Sequence, residues 1–245
     1  MQRSALEGKF DHVGGIVRNN VFFRTENTKG SVAIGVADCP NAQVFHNTVL
    51  MNGTYGSAIE YRFTSTTNCR IQYNLTDANI TLVTGATGTV SANLTTAKST
   101  WFVNAEVGNF RLLPEGVSAV GQVAVLPIVP NDFYGTKRPA DDQAELGAVE
   151  FETLSDSSTP PTEPEPVPTG TVVRVSTVAQ LQEAFPKLTS DTTVLIEKGV
   201  YKLTVFLRIK DGLKNITIRG ATGIAADVQI VGNLATGAEV DLSAV

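Results

Sequence analysis

Three segments of this chain lie over one another at a fixed spacing. With Gly15–Phe23 ("GIVRNNVFF") set over Ala42–Leu50 ("AQVFHNTVL") and Cys69–Asp77 ("CRIQYNLTD"), Val17, Val44 and Ile71 coincide at intervals of 27 residues. Three positions later each segment carries an asparagine: Asn20, Asn47 or Asn74. A fourth copy, "GTVSANLTT", brings Val90 and Asn93 after a shorter step of 19. A second strand recurs within each unit: Ser31–Val36 over Ala58–Phe63 at the same offset of 27 pairs Val32 with Ile59, Ile34 with Tyr61 and Val36 with Phe63.

Each unit is thus two or three short strands with period-2 alternation, separated by Gly, Asn, Asp and Thr. No helical stripe lies between them, which makes βαβ units and a doubly wound sheet poor candidates. An antiparallel sandwich would not return one Asn to the same place in every unit. A coil whose turns stack ~4.8 Å apart does so, and like side chains then form ladders along its axis. The expected fold is therefore all-β, a solenoid of stacked coils. The ladder asparagines are read as structural, holding backbone groups that a bend leaves unpaired.

The formal net charge of -5 argues against a nucleic-acid partner, which needs a basic face. There is no apolar run long enough to span a membrane, and the start, "MQRSALEGKFDHVGG", has no signal-peptide core. Cys39 and Cys69 make neither a disulfide framework nor a metal spacing, and are read as small buried residues.

The segments "GGIVRNNVFF", "AQVFHNTVLM", "SAIEYRF" and "TTNCRIQYNL" resemble the later coils of right-handed parallel β-helix repeat proteins of the pectate-lyase-like superfamily, in the manner of chondroitinase B and alginate lyases. "NDFYGTKRPADDQAELGAVEF" (Asn131–Phe151) resembles the closing segment of many such bacterial proteins, through Asp132, Gly135, Arg138, Pro139, Gly147, Ala148 and Glu150. An Asp usual before the Gly-Ala pair is replaced, with Glu145 the nearest acid.

After Phe151 the composition changes to "TLSDSSTPPTEPEPVPTG", which cannot bury a core and is expected to be an extended spacer. Beyond it, "TVVRV" reads as a strand. Val178, Leu181, Phe185 and Leu188 then share one face of a short amphipathic capping helix near 177–188, with Thr177 and Gln180 at its start. This resembles the opening of the same β-helix class. Residues 1–153 are accordingly expected to be the C-terminal coils and closing segment of one β-helix, 154–169 a Pro-rich linker, and 170–245 the N-terminal cap and first coils of a β-helix. Two arrangements satisfy that order: a fragment of tandem domains, or a circular permutant whose last coil stacks before Gly14. The fragment is favoured, because neither "MQRSALEG" nor "VDLSAV" reads as a finished terminus.

The resemblance implies a polysaccharide partner, a secreted or cell-surface location with the export signal outside this chain, and lyase chemistry or, second, glycoside hydrolysis. Whether the chain itself is an enzyme stays open, since the central coils that carry an active groove are missing on the fragment arrangement. A non-catalytic adhesion module is the alternative. Lyases of this class often use Ca²⁺, but the sequence indicates no cofactor and no metal site. In "IEYRF", alternation sets Ile59, Tyr61 and Phe63 inward and leaves Glu60 and Arg62 outward as a candidate catalytic pair, beside small residues Ala33 and Gly35 one turn earlier. An ordinary exposed ion pair is the plain alternative. "KFDHVGGIVRNN" offers His12 as acid or base, with Lys9, Asp11 and Arg18 as substrate-binding groups. His46, beside the ladder, is read as structural.

Overall fold

A computed structural model describes residues 13–25, 30–139, 143–151, 170–205, 207–210, 212–232 and 240–241. The chain passes repeatedly through three parallel sheets. The first holds β1 (Ile16–Arg18), β4 (Gln43–Phe45), β7 (Cys69–Gln72) and β10 (Gly88–Ser91) in that order. The second holds β2 (Val21–Phe23), β5 (Thr48–Leu50) and β8 (Leu75–Thr76). The third holds β3 (Ile34–Ala37), β6 (Ser57–Arg62) and β9 (Asn79–Val83). Every third strand joins the same sheet, so each sequence unit is one circuit.

Register follows the repeat: Val17 pairs with Val44, Val44 with Ile71 and Ile71 with Val90. Val44 and Ile71, with Val17 packed against them, form an apolar core with Val49, Met51, Ile34, Ile59, Cys39 and Cys69, and both cysteines are free thiols. The asparagines form a continuous ladder in the turn between the first two sheets. Asn20 Nδ2 donates to Asn47 Oδ1 at 3.0 Å, Asn47 Nδ2 to Asn74 Oδ1 at 3.0 Å, and Asn74 Nδ2 to Asn93 Oδ1 at 2.9 Å. Each Oδ1 also accepts the backbone N–H of the preceding circuit's Asn, at 3.0, 3.0 and 2.9 Å. Immediately before each ladder Asn, the residue has positive φ: Asn19 (52°), His46 (48°), Tyr73 (63°) and Ala92 (51°). A left-handed residue turns the chain sharply between sheets, and the ladder satisfies what the bend leaves open.

The third sheet departs from the expected offset. Ile34 pairs with Ile59, Gly35 with Glu60, Val36 with Tyr61 and Ala37 with Arg62. The connection from Phe23 to Ile34 is two residues longer than that from Leu50 to Ile59. Because the slip is two, every side chain keeps its face. The small neighbours of Glu60 and Arg62 are consequently Gly35 and Ala37, rather than Ala33 and Gly35. Phe63, expected inward, lies just past β6 with φ 73° and is only half-buried.

Residues after Ala97 cover the outward face of the second sheet. β11 (Phe102–Asn104) and β12 (Asn109–Leu112) form an antiparallel hairpin, and Trp101, Phe102, Phe110, Leu146 and Val149 pack with Phe23, Leu50 and Leu75. The closing segment then crosses from one circuit to the next. Gly147 N donates to Tyr73 O at 2.8 Å and Ala148 N to Thr48 Oγ1 at 2.9 Å. Gly147 must be glycine: its φ is 89°, and a Cβ would lie 2.6 Å from Thr48 Oγ1.

The expected linker, 154–169, lies outside the described residues. Beyond it, β13 (Thr171–Val175) leads into helix α1 (Val178–Ala184), capped by Thr177, whose Oγ1 accepts from Gln180 N at 3.2 Å. Leu181, Phe185 and Leu188 bury the predicted stripe against Val175, Val194 and Ile196. The remaining strands are β14 (Thr192–Ile196), β15 (Gly199–Lys202), β16 (Leu207–Arg208), β17 (Thr217–Gly220), β18 (Val228–Val231) and β19 (Val240–Asp241). They pair in parallel as β13-β14-β17, β15-β18 and β16-β19, the same rotation through three sheets. This part touches the closing segment: Ala226 N donates to Phe133 O at 3.2 Å, and Ile224 packs against Gly135. The described chain is thus predominantly β, with parallel sheets and one short α-helix. No helix among these residues is long and apolar enough to cross a membrane.

Candidate functional site

β6 is the middle strand of the third sheet, so its side chains have neighbours on both sides along the stacking direction. Glu60 faces Gly35 on one side and Thr81 on the other, while Arg62 lies between Ala37 and Val83. Spacing of two places both on one face, and Arg62 Nη2 donates to Glu60 Oε2. The two differ in exposure: the Glu60 side chain is 5 % exposed and that of Arg62 33 %. A buried carboxylate is tolerable because it is paired, and the pairing orients the guanidinium. Ser57 Oγ and Thr81 Oγ1 share a hydrogen bond of 2.8 Å on the same strands. The result is a partly exposed guanidinium backed by a buried carboxylate, with hydroxyls beside it and Gly35 and Ala37 on the adjacent strand. A guanidinium has five N–H donors, so Arg62 retains others beyond the one given to Glu60.

Arg18 stands elsewhere. It is the last residue of β1 in the first sheet, aligned with Phe45 and Gln72. On that face Arg70 lies over the Phe45 ring at 5.1 Å and donates to Gln72 Oε1 at 3.2 and 3.0 Å, and Gln72 donates to Ser91 Oγ at 2.8 Å. Arg18 therefore does not join Glu60 and Arg62. His12, Lys9 and Asp11 lie outside the described residues.

A second charged cluster was only half visible in the sequence. The closing-segment residues converge on His46. Arg138, fully buried, is ion-paired with Glu150, and its Nη2 donates to Asn19 Oδ1 and Gly147 O, each at 3.1 Å. Asp132 Oδ1 accepts Tyr134 N at 2.8 Å and Thr136 N at 2.7 Å, and its Oδ2 accepts Glu150 N at 3.0 Å. Burial pushes the Asp132 carboxyl up to about 6. Burial first, then a hydrogen bond with Glu145, raises Glu150 to about 9. One guanidinium beside three carboxylates does not offset the burial that raises Glu150. Burial and then the Arg138 charge hold His46 down to about 3, so its ring is neutral. The ring stacks edge-on to Tyr73 with centroids 5.2 Å apart, and neither ring nitrogen makes a well-formed hydrogen bond among the described residues. With no exposed surface on His46 and almost none on Arg138, this cluster cannot reach a substrate; it fastens the closing segment across the circuits. The available signal was an Arg and several acids in one short segment, and a His beside the ladder.

Among the described residues no group of three His, Cys, Asp or Glu side chains is placed to hold a metal ion. No protein-family profile matches the chain, and neither a curated protein nor a solved structure does so.

Proposed function

We propose that the chain is a right-handed parallel β-helix of the pectate-lyase-like kind, acting as a secreted or surface-exposed polysaccharide-binding protein. The glycan lies across the outer face of β3, β6 and β9. The observation that carries this is the Glu60–Arg62 pair, with its oriented, partly exposed guanidinium next to the flat Gly35–Ala37 strand. A saccharide presents hydroxyls and, in uronates, carboxylates. The guanidinium donates to either, the flat strand leaves room for a ring, and further N–H and hydroxyl groups supply the remaining hydrogen bonds.

Binding is a better account than cleavage. Glycoside hydrolysis needs two carboxyl groups flanking the scissile bond. The register neighbours of Glu60 and Arg62 are Gly35, Ala37, Thr81 and Val83, so no second acid lies beside them along the stack. Lyase chemistry needs a base and neutralisation of the uronate, and Arg62 is the one residue of this face suited to either task.

Affinity electrophoresis in gels containing pectate, alginate or chondroitin tests the proposal. Retardation of the wild type by at least one glycan, lost in Arg62→Ala and in Glu60→Ala, is the expected result. Equal retardation of the variants, or none of the wild type by any glycan, refutes it. An absorbance assay for unsaturated uronate separates the lyase from an adhesion module, which retains the glycan and releases no product.

A further inference from the structure

We infer that the last circuit of the repeat is a self-association surface, and that its occupant is the same surface of a second copy of this chain. Among the described residues the sheets end there on open strands. β10 is the outermost strand of the first sheet and β9 of the third. All four residues of β10 are exposed, and Val90, the last member of the inward column, is 38 % exposed where Val44 and Ile71 are buried. Leu82 on β9 is 52 % exposed. Between the strands lies an open hollow of about 380 Å³ lined by Asn79, Ile80, Val90, Asn93 and Thr95. The opening of the 170–232 part is treated differently, with α1 laid over the apolar column.

An edge strand presents unpaired N–H and C=O groups, and natural sheets protect such edges with charges, proline or a covering segment. Here neither charge nor proline protects the edge. From Ala78 to Ala97 the sequence contains no Asp, Glu, Lys, Arg or His and no Pro, in a chain whose formal net charge is -5. The segment from Ala78 to Ala97 carries no charge, so two copies meeting there bring no like charges together in it. A glycan would leave the strand-edge amides and the apolar column unsatisfied. Another β-strand satisfies both, and the same end of a second copy supplies one of matching length and matching neutrality.

A two-fold axis through the first sheet turns outward faces to outward faces. It pairs β10 antiparallel with its copy, centred on Val90. Val90 then packs on the second copy's Val90 and extends the apolar column across the junction, while Thr89 lies opposite Ser91. This surface is at the end of the stack, separate from the β6 face proposed for the glycan.

Sedimentation equilibrium of the full chain over a concentration series tests the inference, the expected mass rising from that of one 26.0 kDa chain towards twice that value. Val90→Lys sets two ammonium groups opposite each other and is expected to weaken association by more than about tenfold, with thermal unfolding of the monomer unchanged because the site is partly exposed. Val90→Cys is expected to form a disulfide-linked dimer under mild oxidation, and Val172→Cys at the opposite end is not. A wild type that stays at the mass of one chain, a Val90→Lys variant that associates as tightly as wild type, or equal cross-linking through Val172→Cys overturns the inference.

Discussion

Replacing Asn47 by Ala removes the middle of the asparagine ladder. Its amide donates to Val17 O at 2.9 Å, Phe45 O at 3.1 Å and Asn74 Oδ1 at 3.0 Å, and its carbonyl accepts Asn20 N and Nδ2, both at 3.0 Å. The consequences are unequal. Phe45 O keeps a bond from Asn19 N, and Asn74 Oδ1 keeps the Asn47 backbone N–H. Asn20 N–H loses its ladder acceptor and Val17 O loses its amide donor, at a position where Asn47 itself has no exposed surface. Two bonds lost at ~1 kcal/mol each, with part of the cost of a buried unsatisfied group, give a destabilisation of about 3 kcal/mol. Asn20→Ala, at the first and partly buried position, removes a donor only, and about 1 kcal/mol is expected. Asn47→Asp keeps an acceptor for Asn20 but turns a carboxylate towards two carbonyl oxygens, and is expected to cost at least as much as Ala. Urea unfolding of the three variants, with unchanged m-values, measures the differences. An Asn47→Ala variant within about 1 kcal/mol of wild type, or one no worse than Asn20→Ala, refutes the ladder as a source of stability.

Two further outcomes follow from the closing segment. Arg138→Met leaves Glu150 and Asp132 buried without their cation and is expected to cost ~3–5 kcal/mol in urea unfolding, with Arg138→Met/Glu150→Gln recovering most of the loss; a single variant as stable as wild type contradicts this. His46 has a folded pKa lowered from 6.5 to about 3, so the unfolded chain takes up a proton that the folded chain refuses. Its contribution is therefore present above the unfolded value of 6.5 and lost as pH falls towards about 3. His46→Asn, matching Asn19 in the same column, is expected to remove a loss on the order of 4 kcal/mol across that window. Asp132 acts in the opposite sense, its raised pKa reducing stability as pH rises from 3.8 to about 6, which is why wild type and variant must be compared at each pH. A stability difference between them that is flat from neutral to acid pH rules out a buried neutral His46.

Much of the backbone plan could be read from spacing alone. A column such as Val17, Val44 and Ile71 has to repeat at the length of a circuit, and an Asn that bonds its counterpart cannot drift. The helix near 177–188 was equally legible, because its stripe and its Thr177 cap are local features. Register in the third sheet was not, because a ten-residue window cannot show that the loop before Ile34 is two residues longer than its successor. The convergence of Arg138, Glu145 and Gly147 on His46 depends on a return across some hundred residues, for which one sequence has no local signal. Glu60 was placed on the correct face with Arg62, but alternation says only which way a side chain points. Its burial comes from packing around it, and that distinguishes an oriented pair from a solvated one.

The most direct test is to titrate the isotopically labelled full chain with uronate oligosaccharides and follow backbone amide shifts. The account predicts saturable changes at Gly35, Ala37, Glu60, Arg62 and Thr81, with Arg70, Gln72 and the ladder asparagines unmoved. Saturable changes confined to Arg18, Arg70 and Gln72, or no change with any glycan, would contradict it.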